Sequence, residues 1–254
     1  MKLSIIIPAH NEEKRIAGTL QDYGAFFKKR YKKDCEIIIV LNGCKDNTLK
    51  VVKKFEKKFP KIRHFDFEQS GKGFALIQGF KCAKGDLIGF SDADDATSAE
   101  EFFKLIKNIE GFDGVIASRW MKGSVVSPKQ PLIRIIAGRS FNFLNRILFG
   151  LTFKDTQCGA KIFRKDAIRK ILPKLGVTEW AFDIDLLYHM NKMGFKIKEV
   201  PIKWCDAKGS KLNVPKTSLR MFLSIIYLRT INSPFKMLLT PFKPIIRGIW
   251  RKLK

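Results

Sequence analysis

Short apolar runs and amphipathic stretches alternate through the first half of the chain, with no tight hairpin turn between them. "LSIII" reads as a buried strand and "NEEKRIAGTLQDYGAFFKKR" as the helix that follows. "CEIIIVL" precedes "DNTLKVVKKFEKKF", "IRHFDF" precedes "GFALIQGFKCA", "DLIGF" precedes "SAEEFFKLIKNI", and "DGVIAS" closes the series. Ser98 and Glu101 have the spacing of a capping box at the start of the fourth helix. Strands separated by helices predict an α/β fold, a mostly parallel sheet with helices on both faces. Ligands of such sheets bind beyond the carboxyl ends of the strands. Three segments fall there: Pro8 to Glu12, Asn42-Gly43, and the acid-rich "FSDADDAT".

From residue 122 the pattern changes. "PLIRIIAGRSFNFLNRILFGL" predicts a long helix, at about 131–150, apolar on one face and basic on the other. A loop "KDTQCGAKIF" follows, then "EWAFDIDLLYHMNKMG" as a helix and "KIKEVPIKW" as a strand. Residues 1–212 read as one domain, and 213–254 as appended basic amphipathic helices. The chain start turns acidic too soon for a signal peptide. No uncharged apolar stretch reaches the ~18 residues of a membrane span.

The formal charge is +25, from 49 Lys and Arg against 24 Asp and Glu. After Asp206 there are eleven basic residues and no acid. Nucleic acid, anionic lipid and phosphorylated substrates are the partner classes such a balance suggests. The basic residues interleave with Leu, Ile and Phe, and no nucleic-acid recognition motif occurs, which argues against nucleic acid and for an anionic membrane surface. The five cysteines form no C-x-x-C pair. A reduced, intracellular setting follows, with Cys35 and Cys82 as core residues.

Against this basic background the acids of "FSDADDAT" stand out. Asp92 and Asp94 are two residues apart at a strand end, so an extended chain points both the same way. Like charges so placed suit a shared cation, and magnesium commonly takes one or two carboxylates plus phosphate and water. A solvated turn with capping aspartates has the same spacing. "SGKGFA" sets Lys72 between two glycines before a helix, without the P-loop pattern. A lysine there can meet an anion, or can be an exposed side chain on a glycine turn. Arg119 follows the fifth strand, whereas Arg134 and Arg146 read as a solvated basic face. Asp183 and Asp185, two apart on a helix, face different sides, so one of them points into a pocket. Trp180 reads as a core residue or a stacking platform. The three histidines lack metal-ligand spacing, and no G-x-S-x-G element suggests a serine hydrolase.

"SIIIPAHNEE", "SGKGFA", "FSDADDAT" and "ASRW", in this order, resemble the inverting family 2 glycosyltransferases of GT-A fold. "DTQCGAKIF", "EWAFDIDLLY", "VPIKW" and "GSKL" resemble dolichyl-phosphate β-glucosyltransferases, relatives of the dolichyl-phosphate mannose synthases. The resemblance covers roughly residues 3 to 220. It implies a nucleotide sugar as donor, UDP-glucose first, and dolichyl or another polyprenyl phosphate as acceptor. Mannose or N-acetylglucosamine transfer, or polysaccharide synthesis, are the neighbouring readings. It further implies that Pro8, Ala9, Asn11 and Glu12 line the nucleoside pocket and that Lys72 and Ala93 lie by the donor. Asp92 and Asp94 become the D-x-D pair holding Mg²⁺ or Mn²⁺. Arg119 and Arg139 become the grip on acceptor phosphate and donor diphosphate, and Trp180 and Asp183 flank sugar or acceptor. The implied location is the cytoplasmic face of a membrane. Many relatives carry paired aspartates after the second strand. Here Leu41 and Asn42 stand there, and the Asn42 amide, both donor and acceptor, is expected to pair with the base.

Overall fold

The structure is a computed structural model that describes residues 2–31, 34–176, 181–205 and 214–232. Nine strands are found among them: β1 (Leu3–Ala9), β2 (Cys35–Asn42), β3 (Ile62–Phe67), β4 (Leu87–Phe90), β5 (Gly114–Ser118), β6 (Val125–Ser127), β7 (Lys161–Arg164), β8 (Ile197–Pro201) and β9 (Lys203–Cys205). The helices are α1 (Ile16–Tyr31), α2 (Thr48–Lys58), α3 (Lys72–Cys82), α4 (Ala99–Lys107), α5 (Leu132–Phe149), α6 (Lys165–Ile171), α7 (Phe182–Lys192) and α8 (Val214–Ile231), with a short 3₁₀ turn after α6. Seven strands form one sheet in the order β3-β2-β1-β4-β7-β5-β8, and β6 pairs with β9 in a small second sheet.

The apolar runs are buried on both faces, as a covered parallel sheet requires. Along β1, Ile5 and Ile7 join the core beneath α1, α2 and α4, while Ile6 joins the core beneath α3 and α7. Ile37 and Ile39 against Ile38 and Val40 repeat the alternation on β2. One strand departs from the parallel expectation. β7 runs antiparallel between β4 and β5. It takes the place a sixth parallel strand would have, and it carries Lys161 into the middle of the sheet.

Strand order reverses direction between β1 and β4, which opens a crevice at their carboxyl ends. The loop after β4 is tied down there from α1. Thr19 donates to the Ala93 carbonyl at 2.9 Å. The buried Tyr23 hydroxyl lies 2.8 Å from Ser91 Oγ and 2.9 Å from the Thr97 carbonyl. Burial pushes the Tyr23 phenol well above its ordinary pKa, so it stays a neutral donor. At the start of α4, Ser98 Oγ accepts from Glu101 N–H at 3.3 Å. The reciprocal half of the expected capping box is not made, because the Glu101 carboxylate takes Lys104 and the Lys203 N–H instead.

α5 and α8 pack against each other beside this crevice. Phe141, Asn142, Asn145 and Phe149 of α5 turn inward. Leu132, Ile136, Phe143 and Ile147 face outward, Leu132 being 76% and Phe143 64% exposed. Leu219, Phe222 and Ile226 of α8 are exposed as well. No helix of the described residues is long and apolar enough to cross a membrane. The "GSKL" segment and the residues from 233 onward lie outside the described part.

Candidate active site

The crevice opens into a cavity of about 690 Å³ that has two unlike ends. The sheet end is lined by Pro8, His10, Glu12, Lys72, Asp92 and Asp94. The helical end is lined by Trp120, Gln130, Arg134, Phe141, Arg220 and Met221. Asp183 and Gly159 also reach it.

Alternation sets the first segment. Pro8, His10 and Glu12 face the cavity, whereas Ala9 and Asn11 are not among its lining residues. The Ala9 carbonyl accepts from Asn42 Nδ2, and Asn11, at φ 54°, accepts the Lys45 N–H at 2.7 Å. Glu12 is held by a two-point pair with Arg15, both contacts at 2.7 Å. His10 was not a sequence candidate. Its Nδ1 lies 2.6 Å from the Asn42 carbonyl oxygen.

Asn42, expected to pair with the base, lines the cavity but is tied into the protein. It is 2% exposed. Its Nδ2 donates to the Ala9 and Val40 carbonyls, and its Oδ1 accepts the Gly71 N–H at 3.0 Å. Both ends of the carboxamide are thus engaged within the protein. Asn42 joins the ends of β1 and β2 to the turn that starts α3.

That turn places Lys72. Its ammonium lies 2.7 Å from Asp92 Oδ1 and 3.8 Å from Asp183 Oδ2. Burial would lower its pKa, but the two carboxylates outweigh it and raise the group above the ordinary lysine value. Behind it, Lys161 is fully buried. Its Nζ lies 2.6 Å from Asp183 Oδ1 and 2.6 Å from the Cys158 carbonyl. Burial works against ionisation of Asp183, yet Lys161 and Lys72 hold it below the usual carboxylate range. Nothing in the sequence pattern marks Lys161, because only the insertion of β7 makes that position interior. Asp185 points elsewhere and accepts the Gly176 N–H, in keeping with the opposite-sides expectation.

Asp94 has no cation within ion-pair distance among the described residues. Burial, and then the Asp92 carboxylate, push it up to about 6. Gly159 packs so close to Asp92 that any Cβ there would overlap its carboxylate. Among the described residues no cluster of three or more His, Cys, Asp or Glu side chains could hold a metal. Two carboxylates in a polar crevice do fit Mg²⁺ or Mn²⁺, provided that substrate phosphate and water complete the shell.

Arg119 lines the cavity, but its fork is engaged. Nε and Nη2 bind the fully buried Asp155 at 2.7 and 2.9 Å, and the guanidinium sits 5.4 Å from the Trp204 ring centre. Burial opposes ionisation of Asp155, and Arg119 overrides it, holding the carboxyl below its usual range. The arginines of α5 differ in placement. Arg134 is half-buried and lines the cavity. Arg139 is exposed, does not line it, and lies 4.9 Å from the Trp120 ring centre. Trp180 lies outside the described residues.

A mostly parallel sheet with a carboxylate pair at its reversal point is the arrangement of a GT-A glycosyltransferase. The fold is shared with solved structures: glucosyl-3-phosphoglycerate synthase of Mycobacterium tuberculosis in complex with Mn²⁺, UDP and glucosyl-3-phosphoglycerate has a TM-score of 0.68 at 17% identity, over 92% of this chain and 81% of that one. Staphylococcus aureus TarS in complex with UDP-GlcNAc has a TM-score of 0.58 at 21% identity, over 92% and 68%. The chain belongs to glycosyl transferase family 2, whose model matches residues 4–172. Within that family it is similar to the dolichyl-phosphate beta-glucosyltransferase of Dictyostelium discoideum, 34% identical over 98% of this chain and 76% of the relative. The Saccharomyces cerevisiae enzyme of that name is 34% identical over 89% and 74%, and the human one 32% over 90% and 75%.

Proposed function

We propose that the protein transfers glucose from UDP-glucose to dolichyl phosphate with inversion, giving a lipid-linked sugar that serves protein glycosylation. The observation that carries this reading is the single cavity with a carboxylate end and a basic, aromatic end, flanked by outward apolar residues of α5 and α8. The names and extent of the similar relatives support the choice of sugar and acceptor.

In this reading an oxygen of the acceptor phosphate attacks the anomeric carbon, the bond from that carbon to the diphosphate breaks, and the nucleoside diphosphate leaves with the bonding electrons. A phosphate monoester, with a second pKa of about 6, is mostly dianionic at neutral pH and needs no general base. Asp183 is therefore assigned to sugar hydroxyls, a role consistent with its ionised state and its hold on Lys161. The main obstacle is repulsion between two anions. Asp92 and Asp94 would hold Mg²⁺ or Mn²⁺, which would neutralise the leaving diphosphate. Lys72 adds a fixed positive charge at the same end, and Arg119 and Arg134 line the path of the acceptor. Pro8, Glu12 and Ala93 form the wall for the nucleoside.

The outward apolar residues of α5, with Arg139 and Arg146 beside them, suit the surface of an anionic cytoplasmic leaflet, where the acceptor's chain resides. The 1–212 catalytic and 213–254 membrane-associated division belongs to the same reading. The test is a panel of UDP- and GDP-sugars offered with dolichyl phosphate and Mg²⁺ or Mn²⁺. Glucolipid formed from UDP-glucose is the expected product. Mannolipid from GDP-mannose, or no glycolipid from any donor, overturns the assignment.

A further inference from the structure

The helical end of the cavity carries a set of polar groups with nothing to bind among the described residues. Arg220 Nε and Nη2, Gln130 Nε2 and Trp120 Nε1 are buried and have no hydrogen-bond partner among the described residues. All three side chains line the same cavity. Gln130 is only 7% exposed. Buried polar atoms are nearly always paired, so four unpaired ones around one space indicate something that enters it. Every one of them is a donor: an indole nitrogen can only donate, as can a guanidinium. The missing partner is therefore rich in acceptor oxygens.

Arg220 defines that partner more closely. Its Nε–Nη2 edge is the edge with which Arg119 grips both oxygens of Asp155. In Arg220 the same two-pronged edge is empty. Such an edge matches two oxygens of a carboxylate or phosphate. The acids that line the cavity, Glu12, Asp92, Asp94 and Asp183, belong to its sheet end, and none comes from α5 or α8. On α8, Arg220 lies between the exposed Leu219 and the exposed Phe222. An anion bound there carries its apolar remainder out along α5 and α8 rather than toward the sheet.

The geometry points to Arg220, Gln130 and the Trp120 N–H as a cradle for the phosphate of an apolar-chain acceptor, which makes α8 part of the substrate site. This assignment rests on the acceptor class proposed above. It adds a selection rule: an acceptor with a hydroxyl in place of phosphate leaves the Arg220 edge unfilled and is rejected.

The experiment uses the full chain with UDP-glucose and farnesyl phosphate in detergent, comparing wild type with Arg220→Ala, Gln130→Leu and Trp120→Phe. Loss of hydrogen bonds to a charged group is expected to raise the acceptor KM about 10–100-fold in Arg220→Ala. Trp120→Phe, which keeps the ring and removes only the N–H, and Gln130→Leu raise it less. The KM for UDP-glucose and the affinity for UDP stay unchanged. Inorganic phosphate competes with farnesyl phosphate in wild type and loses potency in Arg220→Ala. An unchanged acceptor KM in the folded variants overturns the cradle, and so does a rise in donor KM instead. Direct titration of wild type and variants with farnesyl phosphate separates this from failure of the transfer reading. Binding that depends on Arg220 without turnover refutes the reaction and keeps the cradle, whereas binding indifferent to Arg220 refutes the cradle.

Discussion

Lys72 Nζ rests 2.7 Å from Asp92 Oδ1, so one of the two clustered carboxylates already has a cation against it while Asp94 has none among the described residues. Asp92 and Asp94 would hold a divalent ion, and the ammonium competes with it for Asp92. Its second carboxylate neighbour, Asp183, offers it another place to rest. Replacing Lys72 with methionine leaves Asp92 and Asp94 less screened. The expected outcome is tighter binding of Mn²⁺ to the UDP-free protein, together with a fall in turnover of about 100-fold or more. Manganese titration followed by magnetic resonance, alongside glycolipid assays, checks both halves.

Asp94→Ala removes half of the carboxylate pair without touching the core. Turnover should fall nearly to background and the Mn²⁺-dependent part of UDP binding should vanish, with an unchanged melting temperature. Chelation of the wild-type protein should reproduce the loss, and added Mn²⁺ should reverse it. Retained activity in the folded variant would refute the metal assignment.

Gly159→Ala tests how closely β7's approach segment is fitted to the site. The added methyl group overlaps the Asp92 carboxylate, so that side chain must leave its position. Turnover should drop about as far as in an Asp92 variant, while overpacking lowers stability by about 1–3 kcal/mol. Thermal unfolding and initial rates measured together distinguish this from general misfolding.

The buried Asp155–Arg119 pair gives a pH signature. Its carboxyl is held below the ordinary range, so the folded state binds its proton less readily than the unfolded state does. The stabilisation is complete above an unfolded pKa of about 4 and is lost as pH falls through the depressed folded value. Asp155→Asn should cost about 3–5 kcal/mol at neutral pH, because it leaves a buried guanidinium unpaired. The stability difference from wild type should shrink in acid. Denaturant unfolding across pH 2–7, a range of about five units around that pKa, measures it.

Much of this arrangement was legible where function depends on local pattern. Continuous apolar runs and intervening amphipathic helices give the sheet, and strand ends locate Asp92, Asp94 and Lys72. What depends on side-chain direction was not. Asn42 closes β2, and nothing in "VLNG" tells that its amide turns back onto Ala9 and Gly71. Arg134 and Arg139 are five residues apart, hence about 140° apart around the helix. Which of them meets the cavity is decided by how α5 packs on α8, a contact between distant segments. Lys161 and Arg220 became visible for the same reason, through an antiparallel strand inserted in the sheet and a helix placed beside the crevice.

The outward side chains of α5 lead to a last prediction. Ile136→Glu with Phe143→Glu places two charges where apolar groups would enter a bilayer surface. Burial of such groups is worth about 1.5–3 kcal/mol each, so partitioning onto anionic vesicles at low salt should fall by about 100-fold or more. UDP binding, measured in solution, should not change. Vesicle sedimentation that is indifferent to both substitutions would remove α5 from any docking role.

The division of the cavity between sheet and helices has an evolutionary consequence. Strand ends and their short loops carry the carboxylates, whereas the opposite wall rests on two helices that no sheet hydrogen bond constrains. Mutations in α5 and α8 can therefore accumulate without disturbing Asp92 and Asp94. A lineage can explore new recipients for its sugar while its choice of activated donor is inherited intact.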